Sequence, residues 1–353
     1  MRKAKRDKKL YLIPGIPISM VVSLFIWTKM SSVPNAFLIK YVFDKDATTV
    51  GKEQLKSLTE DLAVTIQSDL PYRKEGKNST FDIYIPNEVI GTNRQLPLLI
   101  WTHGGAWVSG DKAQMTGYYQ KIANQGFVVA SLNYDLAPQE KYPYQVFQIN
   151  DAHQYLIKHA KEFHIHPEKI ILMGSSAGAQ LSAQFATIIT NSAYAQKIGI
   201  DPALKPNQLK GTVLYSGIYN MQKLASSQAI SSKLIRWGFS TAAWAYSGEK
   251  GHTNDNLFQA SPIHYVNEKF PPTFISGGNG DSLTKLQSIP FSEKLQDLDV
   301  DVTSRFYPDD HDPILKHENQ YVFSEDGQAL FQEMIDFLTI YTKNKSRINI
   351  KNS

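Results

Sequence analysis

From Thr80 onward the chain alternates short apolar runs with amphipathic stretches, and this alternation restricts the fold more than any other feature. F-D-I-Y-I-P alternates as a strand does, and L-P-L-L-I-W-T-H (96–103) is continuously apolar, as a strand buried on both faces must be. Further strand-like runs follow at 126–134, 169–174, 211–217, 272–277 and 302–307. Helical spacing lies between them at 144–163, 177–189, 289–298 and 327–341. Strands alternating with helices build parallel βαβ units. The expected fold class is therefore α/β, with a mostly parallel central sheet and helices on both faces. Residues 222–262 interrupt the alternation with Arg236, Trp237, Phe239, Trp244 and Tyr246, which fits a helical cap or lid as well as ordinary surface helices.

The segment before residue 80 reads differently. M-R-K-A-K-R-D-K-K holds six basic residues and one acid, and Leu10 to Trp27 carries no charge. That order is expected of a membrane signal-anchor over 1–33, with a cleaved signal peptide as the alternative. It places the large C-terminal part outside the cytoplasm, either membrane-anchored or, after cleavage, secreted. Residues 34–79 are expected to form a helical segment and linker, with helical spacing from Lys52 to Gln67, and 346–353 a polar tail. Removing the basic start, a local +5, from the formal net charge of +4 leaves −1 for the body. A basic face for nucleic acid is not expected. With no cysteine in 353 residues, a thiol nucleophile, a disulfide and a thiolate metal site are excluded.

The chemistry concentrates at the ends of the apolar runs. G-S-S-A-G (174–178) fits G-x-S-x-G with Ser176 at the centre, after a strand and before a helix. A nucleophile there stands on a tight turn. Gly174 and Gly178 leave room for close backbone approach, and the Ala177 N–H opens a helix and can donate to an oxyanion. H-G-G-A-W (103–107) ends a strand 73 residues earlier. Gly104 and Gly105 can turn N–H groups toward the same charge, and His103 is expected to brace the loop. G-G-N-G-D (277–281) places Asp281 past the sixth of these runs, and Y-P-D-D-H-D (307–312) places His311 past the seventh. Each element alone has a plain structural reading: a glycine turn, an acid in a turn, a histidine in an acidic loop. Four in the order oxyanion loop, Ser, Asp, His are much harder to obtain by accident.

As a set, H-G-G-A-W, G-S-S-A-G, G-N-G-D-S-L and D-D-H-D, with N-Y-D-L-A-P at 133–138, resemble the α/β-hydrolase fold, in the branch of hormone-sensitive-lipase-like bacterial carboxylesterases. The resemblance runs from about Thr80 to Thr342, within a catalytic domain expected over 80–345. It implies Ser176 as nucleophile, His311 as base, Asp281 as orienting acid, and an oxyanion hole from Gly104, Gly105 and Ala177. It also implies a small-molecule ester substrate of short to medium acyl chain, and no cofactor or metal. Two positions depart from the branch: Ala106 stands where a third glycine is common, and Ser175 where an aspartate is frequent. A peptidase or amidase on the same fold, and a non-catalytic anchored binding domain, remain the alternatives.

Overall fold

The computed structural model describes residues 23, 26–46, 59, 62–76, 78–226, 230 and 232–343. Most of the basic flank and apolar stretch before residue 33, most of the expected helix over 52–67, and the tail at 346–353 lie outside them. Eight strands form one sheet: β1 (Val64–Pro71), β2 (Thr80–Pro86), β3 (Leu96–Thr102), β4 (Val128–Leu132), β5 (Ile165–Ser175), β6 (Leu209–Tyr215), β7 (Thr273–Gly277) and β8 (Val302–Phe306). Their order is β1-β2-β4-β3-β5-β6-β7-β8. β2 runs antiparallel to β1 and β4, and every later pairing is parallel.

The apolar runs are strands because they bury both faces. In β3, Leu98 and Ile100 join one core and Leu99 and Trp101 the other. β5 divides in the same way, Ile170 and Leu172 against Ile171 and Met173. Among the described residues the helices are, in chain order, α1 (Val33–Asp46), α2 (Thr116–Ala123), α3 (Tyr144–Lys158), α4 (Ala177–Thr190), α5 (Ser192–Ile198), α6 (Met221–Ser226), α7 (Lys233–Ser247), α8 (Asp255–Gln259), α9 (Ile289–Gln296) and α10 (Glu325–Thr342). α3 and α4 cover the first core through Val146, Ile149, Leu181 and Phe185. α2 and α10 cover the second through Tyr118, Ile122, Leu330 and Met334.

The N-terminal part departs from the expectation at one point. The end of the stretch read as helix, from Val64, is the edge strand β1, paired with β2. Its register shifts between Gln67 and Leu70, where Asp69 has a positive φ of 58°. Its side chains are mostly half-buried or exposed, so little apolar alternation marks it as a strand. α6, α7 and α8 occupy the insertion after β6, and α7 packs against α1. Among the described residues no helix is long and apolar enough to cross a membrane.

Candidate active site

The turn between β5 and α4 carries Ser176 at φ 52°, ψ −120°, a left-handed conformation that a serine adopts only when its surroundings enforce it. The Ser176 N–H donates to the Tyr215 carbonyl of β6 at 2.8 Å, and the Ser176 carbonyl accepts from Gln180 N–H at 3.1 Å. The flanking glycines answer a steric demand. A β-carbon on Gly178 would lie 2.0 Å from the Thr102 carbonyl oxygen, and one on Gly174 2.5 Å from the Gly178 carbonyl oxygen. β3 and the turn therefore meet backbone to backbone. Ser175 faces the other way: it is buried, and its Oγ accepts from Tyr321 O–H at 3.1 Å.

The loop after β3 lies against this turn. A β-carbon on Gly105, at φ 101°, would lie 2.2 Å from the Ser109 carbonyl oxygen, so only glycine fits. Among the described residues the N–H groups of Gly104, Gly105 and Ala177 hold no hydrogen bond, which leaves them open to an anion. His103 is buried, stacked on Tyr134 at 4.4 Å, and its Nδ1–H donates to the Gly104 carbonyl at 2.7 Å. Burial holds its pKa down at about 4, with the Gly104 contact only partly offsetting this, so the ring is neutral and braces the loop. Ala106 and Trp107 both take positive φ, 53° and 61°. Trp107 is held by its Nε1–H, which donates to Gln180 Oε1 of α4 at 2.9 Å, and by its ring, stacked on Tyr246 of α7 at 4.8 Å. Ser109, two residues on, donates to Asp44 of α1.

Asp281 lies past β7, and the histidine it holds is not His311. Asp281 Oδ2 accepts from His317 Nδ1–H at 2.8 Å, and its Oδ1 accepts from Leu283 N–H at 2.9 Å. His311, six residues earlier in the same loop, directs Nε2 to Asp326 at 3.1 Å and packs on Tyr307. Asp326 sits in the first turn of α10, a place that favours an acid on its own account, and from there it captures His311. The expected pairing of Asp281 with His311 is therefore corrected to Asp281 with His317.

Backbone contacts impose this choice. Asn279 donates to the His311 carbonyl at 2.9 Å and accepts from Leu315 N–H at 2.8 Å, and Gly280 N–H donates to the Leu315 carbonyl at 2.9 Å. These bonds lay the segment after residue 313 along the loop of Asp281 and bring His317 to its carboxylate. The next residue, Glu318, donates its N–H to Ser216 Oγ at 3.4 Å, at the end of β6. The Asp281–His317 pair thus stands beside the strand that neighbours the serine turn. The sequence reading did not single out Ser216, His317 or Glu318. K-H-E (316–318) satisfied the Ser, Asp, His order as well as D-H-D did, and nothing local separates them.

The pair is electrostatically matched. Burial alone would raise the Asp281 pKa. The charge of His317 and the hydrogen bonds from His317, Leu283 and Ser216 reverse this and hold it below the ordinary carboxylate value. For His317, the surrounding protein works against the charged ring, but the Asp281 charge and hydrogen bond, with Glu318 adding, outweigh it and raise the pKa. A base must be neutral to take a proton, so activity is lost as pH falls through this raised value. The acid limb of kcat/KM is accordingly expected above the ordinary imidazole pKa of about 6.5. A pH profile with that limb at or below 6.5 contradicts His317 as the base.

The chain is similar to several known proteins. The BD-FAE family model matches residues 81–295, more than half of the chain. Esterase LipQ of Mycobacterium tuberculosis is 26% identical over 239 residues, 65% of this chain and 52% of its own. An esterase of Gibberella moniliformis is 24% identical over 65% of this chain and 70% of its own. Kynurenine formamidase of Salmo salar is 29% identical over 50% of this chain and 52% of its own. The chain thus spans about half the length of two of these relatives and 70% of the other. Among solved structures, esterase B from Lactobacillus rhamnosis superposes with a TM-score of 0.72 at 21% identity, covering 88% of this chain and 97% of that one. The fold is that of the α/β-hydrolases, and the chain belongs to the BD-FAE family.

Proposed function

We propose that the protein is a serine carboxylesterase for short- to medium-chain acyl esters, with Ser176 as nucleophile, His317 as general base and Asp281 as the acid that orients it. One observation carries the reading: the Asp281–His317 hydrogen bond, 2.8 Å long, stands on loops beside the strained serine turn. In the first step Ser176 Oγ attacks the ester carbonyl carbon and His317 Nε2 takes its proton. The N–H groups of Gly104, Gly105 and Ala177 receive the oxyanion. The tetrahedral intermediate collapses, His317 gives the proton to the departing alcohol, and an acyl-enzyme remains. Water, deprotonated by the same histidine, then releases the acid. Asp281 keeps the proton of the neutral ring on Nδ1, so that Nε2 is the free base. The esterase names among the relatives support an ester substrate. The formamidase favours a second reading, amide hydrolysis by the same groups, and relative turnover of an ester and its matching anilide separates the two.

We also propose that the segment before residue 33 anchors the protein in a membrane. The basic and then uncharged sequence supports this, as do the exposed Ile26, Trp27 and Met30 near its end and Phe37 and Tyr41 beyond it. One experiment tests both readings. A fluorophosphonate probe applied to fractionated cells is expected to label Ser176 in the carbonate-washed membrane pellet. Label confined to the soluble fraction contradicts the anchor. Absence of label contradicts the esterase and favours a binding domain.

A further inference from the structure

Glu318 places a carboxylate at the reaction centre that the proposed esterase mechanism does not use. Its backbone is left-handed, at φ 59° and ψ 36°, a conformation that glycine or asparagine takes more readily than glutamate. The side chain lies over the oxyanion loop. A β-carbon placed on Gly104 would be 3.0 Å from Glu318 Oε1 and 3.2 Å from Ser176 Cβ, so the carboxylate and the serine flank the same point. The residue is half-buried. Among the described residues no hydrogen bond or ion pair reaches its carboxylate, although its charge acts on His317, Tyr119 and Tyr321.

An uncompensated carboxylate beside an oxyanion hole carries a chemical cost. It opposes the negative charge that builds on the carbonyl oxygen, and for an uncharged substrate only its attraction for the imidazolium forming on His317 offsets this. A cation on the substrate removes that opposition and gains the attraction of a partly desolvated charge. We propose that Glu318 is a cation-recognition residue, selecting esters that carry an ammonium group within a few bonds of the scissile carbonyl. The proposal rests on the reading of Ser176, His317 and Asp281 as the catalytic groups.

The test uses butyrylcholine and 3,3-dimethylbutyl butyrate, two esters of the same shape that differ in a quaternary nitrogen against a quaternary carbon. The readout is the ratio of their kcat/KM values in the wild type divided by the same ratio in Glu318→Gln. Intrinsic reactivity cancels in that quotient, as does any change in the His317 base. The side-chain length and the backbone demand at 318 are unchanged. The quotient is expected to be about tenfold, the size of one charge–charge contact near a protein surface. A quotient near one overturns the proposal. In parallel, calorimetric binding of phenyltrimethylammonium is expected to weaken about tenfold in Glu318→Gln. If neither ester is hydrolysed but this difference persists, the cation subsite stands and the esterase reading falls. Equal binding by both proteins overturns the subsite whatever the esters do.

Discussion

Replacing His317 with alanine is expected to lower kcat/KM for p-nitrophenyl butyrate by roughly 10⁴-fold or more, the usual cost of removing the base of a triad. Replacing His311 in the same way is expected to change it by less than about tenfold, since its lost contacts are one part-buried hydrogen bond to Asp326 and ring packing on Tyr307. The two histidines lie six residues apart in one loop, and the contrast between them is the measurement. His311 is tied to Asp326 on α10 and has no contact with Asp281. His317 holds that carboxylate through Nδ1, and the bond fixes the orientation of its ring. Equal losses in the two variants, or a larger loss from His311→Ala, would overturn the assignment.

Ser176→Ala is expected to reduce kcat by roughly 10⁴- to 10⁶-fold, while thermal unfolding stays close to that of the wild type. Alanine keeps the β-carbon that the left-handed turn already tolerates, so the strain at φ 52° is unchanged. Only the attacking oxygen is lost. Ser175→Ala is the control on the other serine. It removes the acceptor of the buried Tyr321 hydroxyl and is expected to cost about 1 kcal/mol of stability while most of the activity remains. Full activity in Ser176→Ala, or abolished activity in Ser175→Ala with the fold intact, would reverse the two roles.

What could be read from the sequence followed from how local each determinant is. The strands β3 to β7 were legible because a strand covered on both faces must be apolar nearly throughout, and their runs are. β2 showed through its alternation, and β8, at the far edge with partly exposed side chains, only through its place in the strand and helix series. β1 was not, because an edge strand pairs on one side only and its exposed positions carry no alternating pattern. The serine turn and the glycine loop after β3 were legible because backbone crowding there is severe enough to dictate residue type over a few positions. The choice of histidine was not. It is made by Asn279 and Gly280 gripping His311 and Leu315 from more than thirty residues away, and sequence order alone is blind to such contacts. Glu318 escaped for a related reason: its interest comes from what fails to pair with it.

Trp107 ties three parts of the molecule together: the loop that would receive the oxyanion, the helix behind the nucleophile through Gln180, and the insertion helix α7 through Tyr246. Its indole acts as a common hinge pin. Swinging α7 away to admit a bulky ester would unload one face of that ring and loosen the two donors that must stay aimed at the carbonyl. Access and catalysis then compete for the same side chain. On the proposed mechanism, substrates thin enough to enter with α7 still seated on Trp107 would keep the donors in register, and the width of an ester, as much as its chain length, would set how fast it turns over.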